Sequence, residues 1–228
     1  MTETKNHGHP RRVRSFVRRP GRLTPAQERA LTDLLPRYAI PEELLDLRKA
    51  FETAAPLVVE IGFGNGQALA WMADNEPEKH FVGIEVHEPG VGRLLRSLDD
   101  GGIGNVRVAM RDAVEVLNQQ TVSDSLDEIR IYFPDPWPKK RHHKRRLVQP
   151  PFLELVESRL RPGGLLHLAT DWAPYAEWML EALEKVPALK LEGSPYVDRP
   201  AWRPQTHFEQ RGQRKGHTIT DILCQKTS

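Results

Sequence analysis

A glycine-rich segment with an acidic residue at its start follows the apolar residues 57–59. Glycines at a turn between a strand and a helix let the backbone approach a ligand closely. An acid about 20 residues further on is placed to bind both ribose hydroxyls of an adenosine-containing cofactor. The residues that predict such a cofactor site are Glu60, Gly62, Gly64, Gly66 and Glu85.

The spacing of these residues distinguishes between cofactors. The pattern Gly-x-Gly-x-Gly differs from the Gly-x-Gly-x-x-Gly of dinucleotide binders, and Glu60 would repel a pyrophosphate but attract an ammonium group. This favours S-adenosylmethionine over NAD and leaves an NAD-dependent oxidoreductase as the weaker alternative. Asp112 has two interpretations: it accepts a hydrogen bond from the adenine amino group, or it caps the helix that follows.

A proline-rich segment, 132–138, carries one carboxylate and one tryptophan. Three prolines in five residues stiffen the backbone there. Such a loop can grip a planar base, with Trp137 stacking on it and Asp135 accepting its N–H donors. The alternative is a plain turn with Trp137 packed inward.

A basic run continues directly from the proline-rich segment. At the active edge it is interpreted as a phosphate-binding surface for RNA. His142 and His143 have no third ligand nearby, so we expect no metal site. The residues of the run are Lys139, Lys140, Arg141, His142, His143, Lys144, Arg145 and Arg146.

The charge distribution also indicates a polyanionic partner. The 228 residues contain 33 Lys and Arg against 31 Asp and Glu, a formal net charge of +2. Thirteen of the 33 basic residues lie in segments 1–22 and 139–146, so the rest of the chain is acidic. The first segment is alternatively a solvated tail.

Composition excludes several protein classes. Hydrophobic residues make up 39% of the chain and charged residues 28%, which is ordinary for a globular protein. We expect no transmembrane span and no signal peptide, because the longest apolar runs are far too short. The single cysteine, Cys224, excludes a disulfide framework and fits a reducing compartment, so we expect a cytoplasmic protein.

Short β-prone runs alternate with helical patterns from residue 57 onward, which predicts an α/β fold with a doubly wound, mostly parallel sheet. The predicted strands are 57–61, 81–85, 105–109, 128–133, 164–170, 189–193 and 217–225. The predicted helices between and after them are 67–75, 89–99, 112–119, 148–160 and one that starts near Pro174.

The sequence of the N-terminal part, before residue 57, predicts two helices that pack on the main domain. Thr24 caps the first helix, and a second begins at Pro41 and buries Leu44, Leu45 and Phe51. Residues 1–22 are predicted to be a flexible extension, and residues 23–228 a single domain. The remaining isolated residues of interest are interpreted as core: Trp71, Trp178 and Cys224.

Taken together, the motifs resemble the bacterial tRNA (guanine-N7-)-methyltransferase family. The resemblance extends from about Arg14 to Cys224. The proline-rich segment with its basic extension is the most specific part. The other segments that carry it are 14–19, 60–66, 85–92, 170–172, 199–200, 206–209 and 211–212.

The resemblance implies a seven-stranded class I, Rossmann-like methyltransferase fold. S-adenosylmethionine would be the donor, and N7 of the variable-loop guanosine at tRNA position 46 the acceptor. Glu60, Glu85, Asp112 and Asp135 would bind the cofactor, and Asp135 would also be catalytic. Residues 141–146 would contact RNA, and we expect a monomer or weak homodimer without metal. The implied substrate contacts are Lys139, Asp171, Thr206, His207, Phe208 and Glu209.

His207 departs from the family pattern, which has Lys or Arg there, so its charge at neutral pH differs. Two other functions remain open at this point. One is an RNA-binding protein without catalysis on the same scaffold. The other is a methyltransferase that acts on a protein or a small molecule, which the basic run disfavours.

Overall fold

The computed structural model describes residues 21–214 and 216–227. Of the predicted flexible extension 1–22, all but Gly21 and Arg22 lie outside the described residues. Gly21 packs against the start of a helix: a Cβ built on it would lie 2.7 Å from Pro89 Cγ and 2.9 Å from His87 Nε2. The N-terminal segment therefore joins the described part of the chain beside residues 87–89.

Strands and helices alternate along the described chain. The strands are β1 (Leu57–Ile61), β2 (His80–Ile84), β3 (Val106–Ala109), β4 (Leu126–Tyr132), β5 (Leu160–Thr170), β6 (Leu189–Leu191) and β7 (Thr220–Lys226). The α-helices are α1 (Pro25–Asp33), α2 (Leu35–Tyr38), α3 (Gln67–Asn75), α4 (Glu88–Asp100), α5 (Ala113–Gln119), α6 (Pro150–Arg159), α7 (Ala173–Leu183) and α8 (His207–Arg214). Two 3₁₀ helices span Leu47–Ala50 and Lys140–Arg145.

Within the described residues, the strands form one seven-stranded sheet in the order β3-β2-β1-β4-β5-β7-β6. The first five strands pair in parallel, and β7 is antiparallel to both of its neighbours. The predicted doubly wound, mostly parallel sheet is confirmed. The chain turns from β1 to β2 on one side and reaches β4 on the other, so the ends of β1 and β4 form the switch point where ligands bind in such sheets.

The core lies on both faces of the sheet. Leu57, Val59 and Ile61 belong to one buried cluster, which includes residues of α6 and α7, while Val58 belongs to a second cluster with residues of α3 and α4. Successive strand side chains point to opposite faces. By this alternation, Glu60 shares the face of Val58.

The predicted N-cap of α1 is confirmed. Thr24 Oγ1 accepts a hydrogen bond from the Gln27 backbone N–H at 3.3 Å, and the Thr24 N–H donates to Gln27 Oε1 at 2.8 Å. Gln27 Nε2 also donates to the Pro89 carbonyl at 3.0 Å. This side chain therefore ties α1 to the first turn of α4.

The predicted helix from Pro41 is wrong. Residues 41–46 form turns before a 3₁₀ helix, and the side chain of Leu45 is 74% exposed. Gln120 Nε2 donates to the carbonyls of Pro41 and Leu44 at 2.8 and 2.7 Å, and the Gln120 carbonyl accepts from the Leu47 N–H at 2.9 Å. A buried side chain from a distant segment thus binds the carbonyls that a helix would use.

The edges of the longest strand also differ from the prediction. Helix α6 ends at Arg159, and β5 begins at Leu160 instead of residue 164. Pairing of β5 with β4 is irregular, since Leu126 pairs with Leu160 but Glu128 pairs with Leu165. The extra residues form a bulge at Gly163, which has a φ of 75°.

None of the helices in the described ranges is long and apolar enough to cross a membrane.

We predict that Gly90→Ala destabilises the fold. A Cβ at Gly90 would lie 2.0 Å from the Gly64 carbonyl oxygen, so α4 and the glycine-rich loop would have to separate. Overpacking of this kind costs about 1–3 kcal/mol, and thermal unfolding should show a lower Tm. Gly104→Ala is the matched control, because a Cβ there meets no atom within 4 Å. Equal Tm values for the two variants would contradict the argument.

Candidate active site

A cavity of about 460 Å³ opens where β1, β2 and β4 end. One wall is the glycine-rich loop with Glu85, and another is the segment 132–135. A third wall is the segment 204–206, which precedes α8, and the N-terminal half of α3 also lines the cavity. The cavity lies at the switch point of the sheet, so sequence motifs from four parts of the chain meet there.

Glu60 lines this cavity as a buried carboxylate, with only 2% of the residue exposed. Its Oε2 has no hydrogen-bond partner among the described residues. Burial raises the pKa of Glu60 from 4.5 to about 8, against the opposing effect of Arg130, while Glu85 adds to the rise. An unpartnered carboxylate in a cavity is a receptor for a cation, so the residues present fit the ammonium group of S-adenosylmethionine.

Glu85 holds the glycine-rich loop. Its Oε2 accepts from the Gly64 N–H at 2.9 Å, and its Oε1 accepts from Val86 and His87 N–H groups at 2.7 and 3.0 Å. A carboxylate has about four acceptor positions, and three are used here. The predicted ribose contact of Glu85 thus has acceptor capacity left, and it stays a prediction.

The three glycines of the loop do not have the same role. All three have positive φ, from 59° to 76°, which L side chains adopt only under strain. Gly62 and Gly64 line the cavity, but Gly66 does not. A Cβ on Gly66 would lie 2.5 Å from Leu94 Cβ. Gly66 is therefore required for packing of the loop on α4, and its predicted contact with the cofactor stays a prediction.

Asp112 is the N-cap of α5. Its Oδ1 accepts a hydrogen bond from the Val114 N–H at 2.8 Å, so this one of the two interpretations is confirmed. Its neighbours Arg111 and Ala113 line the cavity, whereas Asp112 does not. The contact of Asp112 with adenine stays a prediction.

The proline-rich loop after β4 places Asp135 at the cavity, where the residue is exposed. The backbone enters the loop through Phe133, with φ 53°, and the Phe133 N–H donates to the Ala169 carbonyl at 2.7 Å. Trp137 has φ 44°. The loop is thus anchored to β5 at its start and is fixed in conformation on both sides of Asp135.

Trp137 does not line the cavity. It is half-buried, the guanidinium of Arg145 lies 5.1 Å from its ring centroid, and the ring of His142 lies edge-on at 5.8 Å. The prediction that Trp137 stacks on the substrate base is not supported by this placement. Its ring is used to pack the basic run against the proline-rich loop.

The basic run forms a 3₁₀ helix whose cations differ in exposure. Lys139, Lys140, Arg141 and Lys144 are exposed. Desolvation and neighbouring cations lower the pKa of His142, so its ring carries no charge at neutral pH. The exposed cations are the part of the run that is available to phosphates.

The prediction that Arg146 contacts RNA is corrected, because only 3% of the residue is exposed. Its Nε donates to the Pro136 carbonyl at 2.9 Å, and its guanidinium lies 4.9 Å from the ring centroids of Tyr175 and Trp178. Arg146 therefore anchors the proline-rich loop to α7. A charged side chain used in this way is not part of the exposed surface.

The predicted substrate residues lie in three segments: Lys139 follows the proline-rich loop, Asp171 follows β5, and residues 206–209 form the start of α8. Thr206 lines the cavity and caps the helix, since its Oγ1 accepts from the Glu209 N–H at 3.1 Å. Asp171 is half-exposed beside His217, with 3.3 Å between its Oδ2 and His217 Nδ1. The side chains of His207 and Phe208 lie outside the described part of the structure. Neither Asp171 nor Lys139 lines the cavity.

Glu209 differs from its prediction as a substrate contact. The residue is 2% exposed and does not line the cavity. Its Oε2 accepts from Arg203 Nη1 at 2.6 Å. Arg203 also donates from Nε and Nη2 to both carboxylate oxygens of Asp221, at 2.7 and 2.8 Å. The carboxylate of Glu209 is thus part of a buried ionic network.

Sequence reasoning missed Arg203, Asp221 and His167, because each is a single charged or polar residue within an unremarkable segment. It also placed Trp71 in the core, which is wrong: the residue is 41% exposed and lines the cavity. The spacing of Gln67 and Trp71, one helical turn apart, was the available signal, since both lie on the cavity side of α3.

Known proteins that resemble this chain identify its family. The family described as "Putative methyltransferase" matches residues 54–222. The tRNA (guanine-N(7)-)-methyltransferase of Xanthomonas campestris pv. campestris (strain 8004) is 54% identical over 222 residues, which cover 96% of this chain and 85% of that protein. The chain belongs to the bacterial tRNA (guanine-N7-)-methyltransferase family.

A second member of the family, from Halorhodospira halophila (strain DSM 244 / SL1), is 52% identical over 219 residues, or 94% of this chain and 95% of that protein. Membership of this methyltransferase family confirms the resemblance predicted from the motifs and the predicted methyl donor, S-adenosylmethionine. No group of three or more His, Cys, Asp or Glu side chains that could hold a metal ion is present among the described residues.

Solved structures agree on the fold of this family member. The 16S rRNA methyltransferase KamB superposes with a TM-score of 0.57 at 14% identity, over 92% of this chain and 97% of that chain. A 16S rRNA (adenine(1408)-N(1))-methyltransferase from Catenulisporales acidiphilia, solved with its cosubstrate SAM, gives 0.52 at 15% identity, over 79% of this chain and 89% of that chain. These likenesses support the class I methyltransferase fold.

We predict that Glu60→Gln stabilises the unliganded protein at alkaline pH. Because the folded-state pKa is raised, the wild type loses stability as pH rises from 4.5 to about 8, at up to about 1.4 kcal/mol per pH unit. Glutamine has no charge to bury. Thermal unfolding should therefore give the variant a higher Tm than the wild type at pH 8.5, and the difference should shrink at pH 5.

The same substitution should weaken cofactor binding, because the neutral amide cannot pair with an ammonium group. Calorimetry at pH 8.5 should show a Kd for S-adenosylmethionine raised by roughly 10- to 100-fold, the value of a charge-assisted hydrogen bond. Glu115→Gln, on the exposed side of α5, is the matched control. For the stability prediction above, an equal change in Tm at pH 5 and at pH 8.5 would refute the argument that Glu60→Gln acts by removing a buried charge.

Proposed function

We propose that this chain transfers a methyl group from S-adenosylmethionine to N7 of the variable-loop guanosine at position 46 of tRNA. The observation that carries the proposal is that the cavity with the unpartnered Glu60 carboxylate also holds Asp135, from which the exposed cations 139–144 continue along the surface. A donor-binding acid, a base-binding acid and a phosphate-binding surface thus share one edge of the sheet.

The cofactor half of the site is formed by β1, β2 and the loops after them. S-adenosylmethionine supplies a methyl group bonded to a positively charged sulfur, which is the electrophile. Glu60 would bind its ammonium group, and Glu85 would accept the ribose hydroxyls. Gly62 and Gly64, which line the cavity, allow the backbone to approach the cofactor without side chains in between.

The acceptor atom needs no general base. N7 of guanine has a free lone pair and no proton, so the protein has to place it in line with the methyl group and exclude competing orientations. Proximity of this kind supplies up to roughly 7–11 kcal/mol of the barrier. The rigid loop that holds Asp135 between two anchored points is suited to such placement.

Asp135 also explains why guanine is chosen. The N1–H and N2–H donors of guanine form a pair that adenine lacks, and a carboxylate accepts both. Positive charge moves onto the purine during the transfer, so Asp135, which lines the cavity, stabilises the transition state more than the ground state. Asp135 is thus the residue to which we assign the catalytic role.

The cations of the basic run would bind the tRNA backbone. Their exposure and their position directly after the proline-rich loop support this role. Gly21 packs at His87 and Pro89, so the basic N-terminal segment joins the body at the same edge. The proposed enzyme acts in the cytoplasm as a monomer or weak homodimer.

The rival functions make different demands. A methyltransferase for proteins or small molecules gains nothing from a row of exposed cations beside its acceptor site. An RNA-binding protein without catalysis has no use for a buried carboxylate that costs stability. Both rivals are tested by the same assay of methyl transfer.

The first test is methyl transfer from labelled S-adenosylmethionine to unmodified tRNA, followed by nucleoside analysis. We expect 7-methylguanosine in the parent tRNA and none in a tRNA with adenosine at position 46. Binding of the donor without transfer to any tRNA would favour the RNA-binding function.

We predict that Asp135→Asn lowers kcat by roughly 100-fold or more while the Kd of S-adenosylmethionine changes by less than about threefold, because the amide cannot stabilise the developing charge. Asp74→Asn, which alters an exposed carboxylate of α3 outside the cavity, is the control and should keep wild-type values. Equal losses in turnover and in donor binding would instead assign Asp135 to the cofactor alone.

We predict that replacing the exposed cations of the basic run weakens tRNA binding through its salt dependence. Changing Lys139, Lys140, Arg141 and Lys144 to Gln should reduce the slope of log K against log salt by up to about 0.7–0.9 for each lost phosphate contact. Lys185→Gln with Lys190→Gln is the control, since both lysines are exposed near the opposite end of α7. An unchanged slope would show that the run does not contact phosphates.

A further inference from the structure

Arg203 is fully buried, which is unusual for an arginine. It lies in the segment between β6 and α8, directly before residues 204–206 of the cavity wall. Its guanidinium binds Asp221 of β7 through two parallel hydrogen bonds and Glu209 of α8 through a third. One side chain therefore joins the cavity wall to the sheet and to the first turn of the helix that follows.

The network continues to Tyr132 in the cavity wall 132–135, and this residue is called the floor of the cavity below. Asp221 Oδ1 also contacts His167 Nε2 at 2.7 Å, and His167 Nδ1 contacts the Tyr132 hydroxyl at 3.0 Å. Burial lowers the pKa of His167, so the ring is neutral: its Nε2–H donates to Asp221, and its Nδ1 accepts from Tyr132. Tyr132 lines the cavity. An unbroken chain of hydrogen bonds thus links α8 to the floor through β7, β5 and β4.

This network is suited to fixing a position. Buried ion pairs add little net stability, since desolvation offsets their attraction, but removal of one partner is costly. Planar guanidinium groups hold carboxylates at fixed distances and angles. Arg199 Nε lies 3.6 Å from Glu209 Oε1 and adds a partly exposed cation at the outer end. The charges are balanced only while the wall, α8 and β7 keep this arrangement.

We propose that Arg203 is a positioning residue for the acceptor guanosine: through Asp221 and Glu209 it fixes the wall 204–206 against the Tyr132 floor and leaves the cofactor half unaffected. This inference rests on the proposed function. Thr206 lines the cavity and lies between Arg203, three residues before it, and Glu209, three residues after it. The network that fixes these two residues therefore also fixes Thr206. Among the described residues, none of the side-chain hydrogen bonds of this network is made to the glycine-rich loop or to Glu85.

The test measures three quantities for Arg203→Met: the Kd of S-adenosylmethionine, the Kd of tRNA and kcat. We expect kcat to fall by about 100-fold, the loss typical of a reacting group displaced by about 1 Å. The Kd of the donor should stay within about threefold, and the Kd of tRNA should change little, because phosphate contacts dominate it. A Kd of the donor that rises as much as kcat falls would overturn the proposal in favour of a general structural role.

A rescue experiment separates positioning from loss of structure. Arg203→Ala leaves a space for a guanidinium ion, so a few tens of millimolar guanidinium chloride should raise its kcat by at least tenfold relative to the same concentration of sodium chloride. Arg161→Ala, at an exposed side chain paired with Asp127, is the control and should show no gain. No rescue in Arg203→Ala, with the variant folded by thermal unfolding, counts against the proposal.

Milder variants carry the test where Arg203→Met fails to fold. Arg203→Lys keeps the charge and should retain more activity than Met, and Glu209→Gln should reproduce the loss of kcat with donor binding intact. In a double-mutant cycle, Arg203→Lys with Glu209→Gln should lose far less than the product of the two single losses. Multiplicative losses would overturn the inference alone, whereas a wild type that methylates no tRNA would overturn the proposed function itself.

Discussion

The site depends on one buried carboxylate, that of Glu60, whose Oε2 has no hydrogen-bond partner among residues 21–214 and 216–227. Behind Glu60 lies Arg130, whose charge is already balanced: its guanidinium contacts Glu76 at 3.0 Å and Glu128 at 2.5 Å, and Lys79 Nζ contacts the same two acids at 2.5 and 2.7 Å. This cluster of two cations and two anions is neutral. Glu60 is therefore left without a countercharge, which together with burial raises its pKa to about 8, and a ligand cation would stabilise its carboxylate form.

The glycine-rich loop follows from the same constraint. Glu60 must face an open cavity, yet the loop that covers it has to stay in place without a cofactor. Three contacts do this: Glu85 binds the Gly64 N–H, Gly90 lets α4 approach the Gly64 carbonyl, and Gly66 packs on Leu94. These three contacts hold the backbone of the loop in place although the burial of Glu60 costs stability. The cofactor half therefore needs little rearrangement to bind the cofactor.

The sequence was sufficient to predict the parts of the molecule that depend on local pattern. Alternation of β-prone and helical segments predicted the sheet, and the spacing of Glu60, the glycines and Glu85 predicted the cavity edge. Predictions failed where a distant group decided the outcome. The side chain of Gln120 hydrogen-bonds to the carbonyls of residues 41–44, and Arg203 pairs with Glu209. The guanidinium of Arg146 contacts the rings of Tyr175 and Trp178. Burial and ion pairing between remote segments have no signature in residue spacing.

The corrected residues explain how RNA and base are coupled under the proposed function. Arg146 anchors the proline-rich loop to α7, and Trp137 packs against Arg145, so the exposed cations and Asp135 belong to one rigid unit. A phosphate bound on that unit lies at a fixed distance from the carboxylate that reads the base. Only a nucleotide turned out of its stack at that distance from the backbone can reach Asp135. Selection of one guanosine then comes from the shape of the RNA as much as from the base itself.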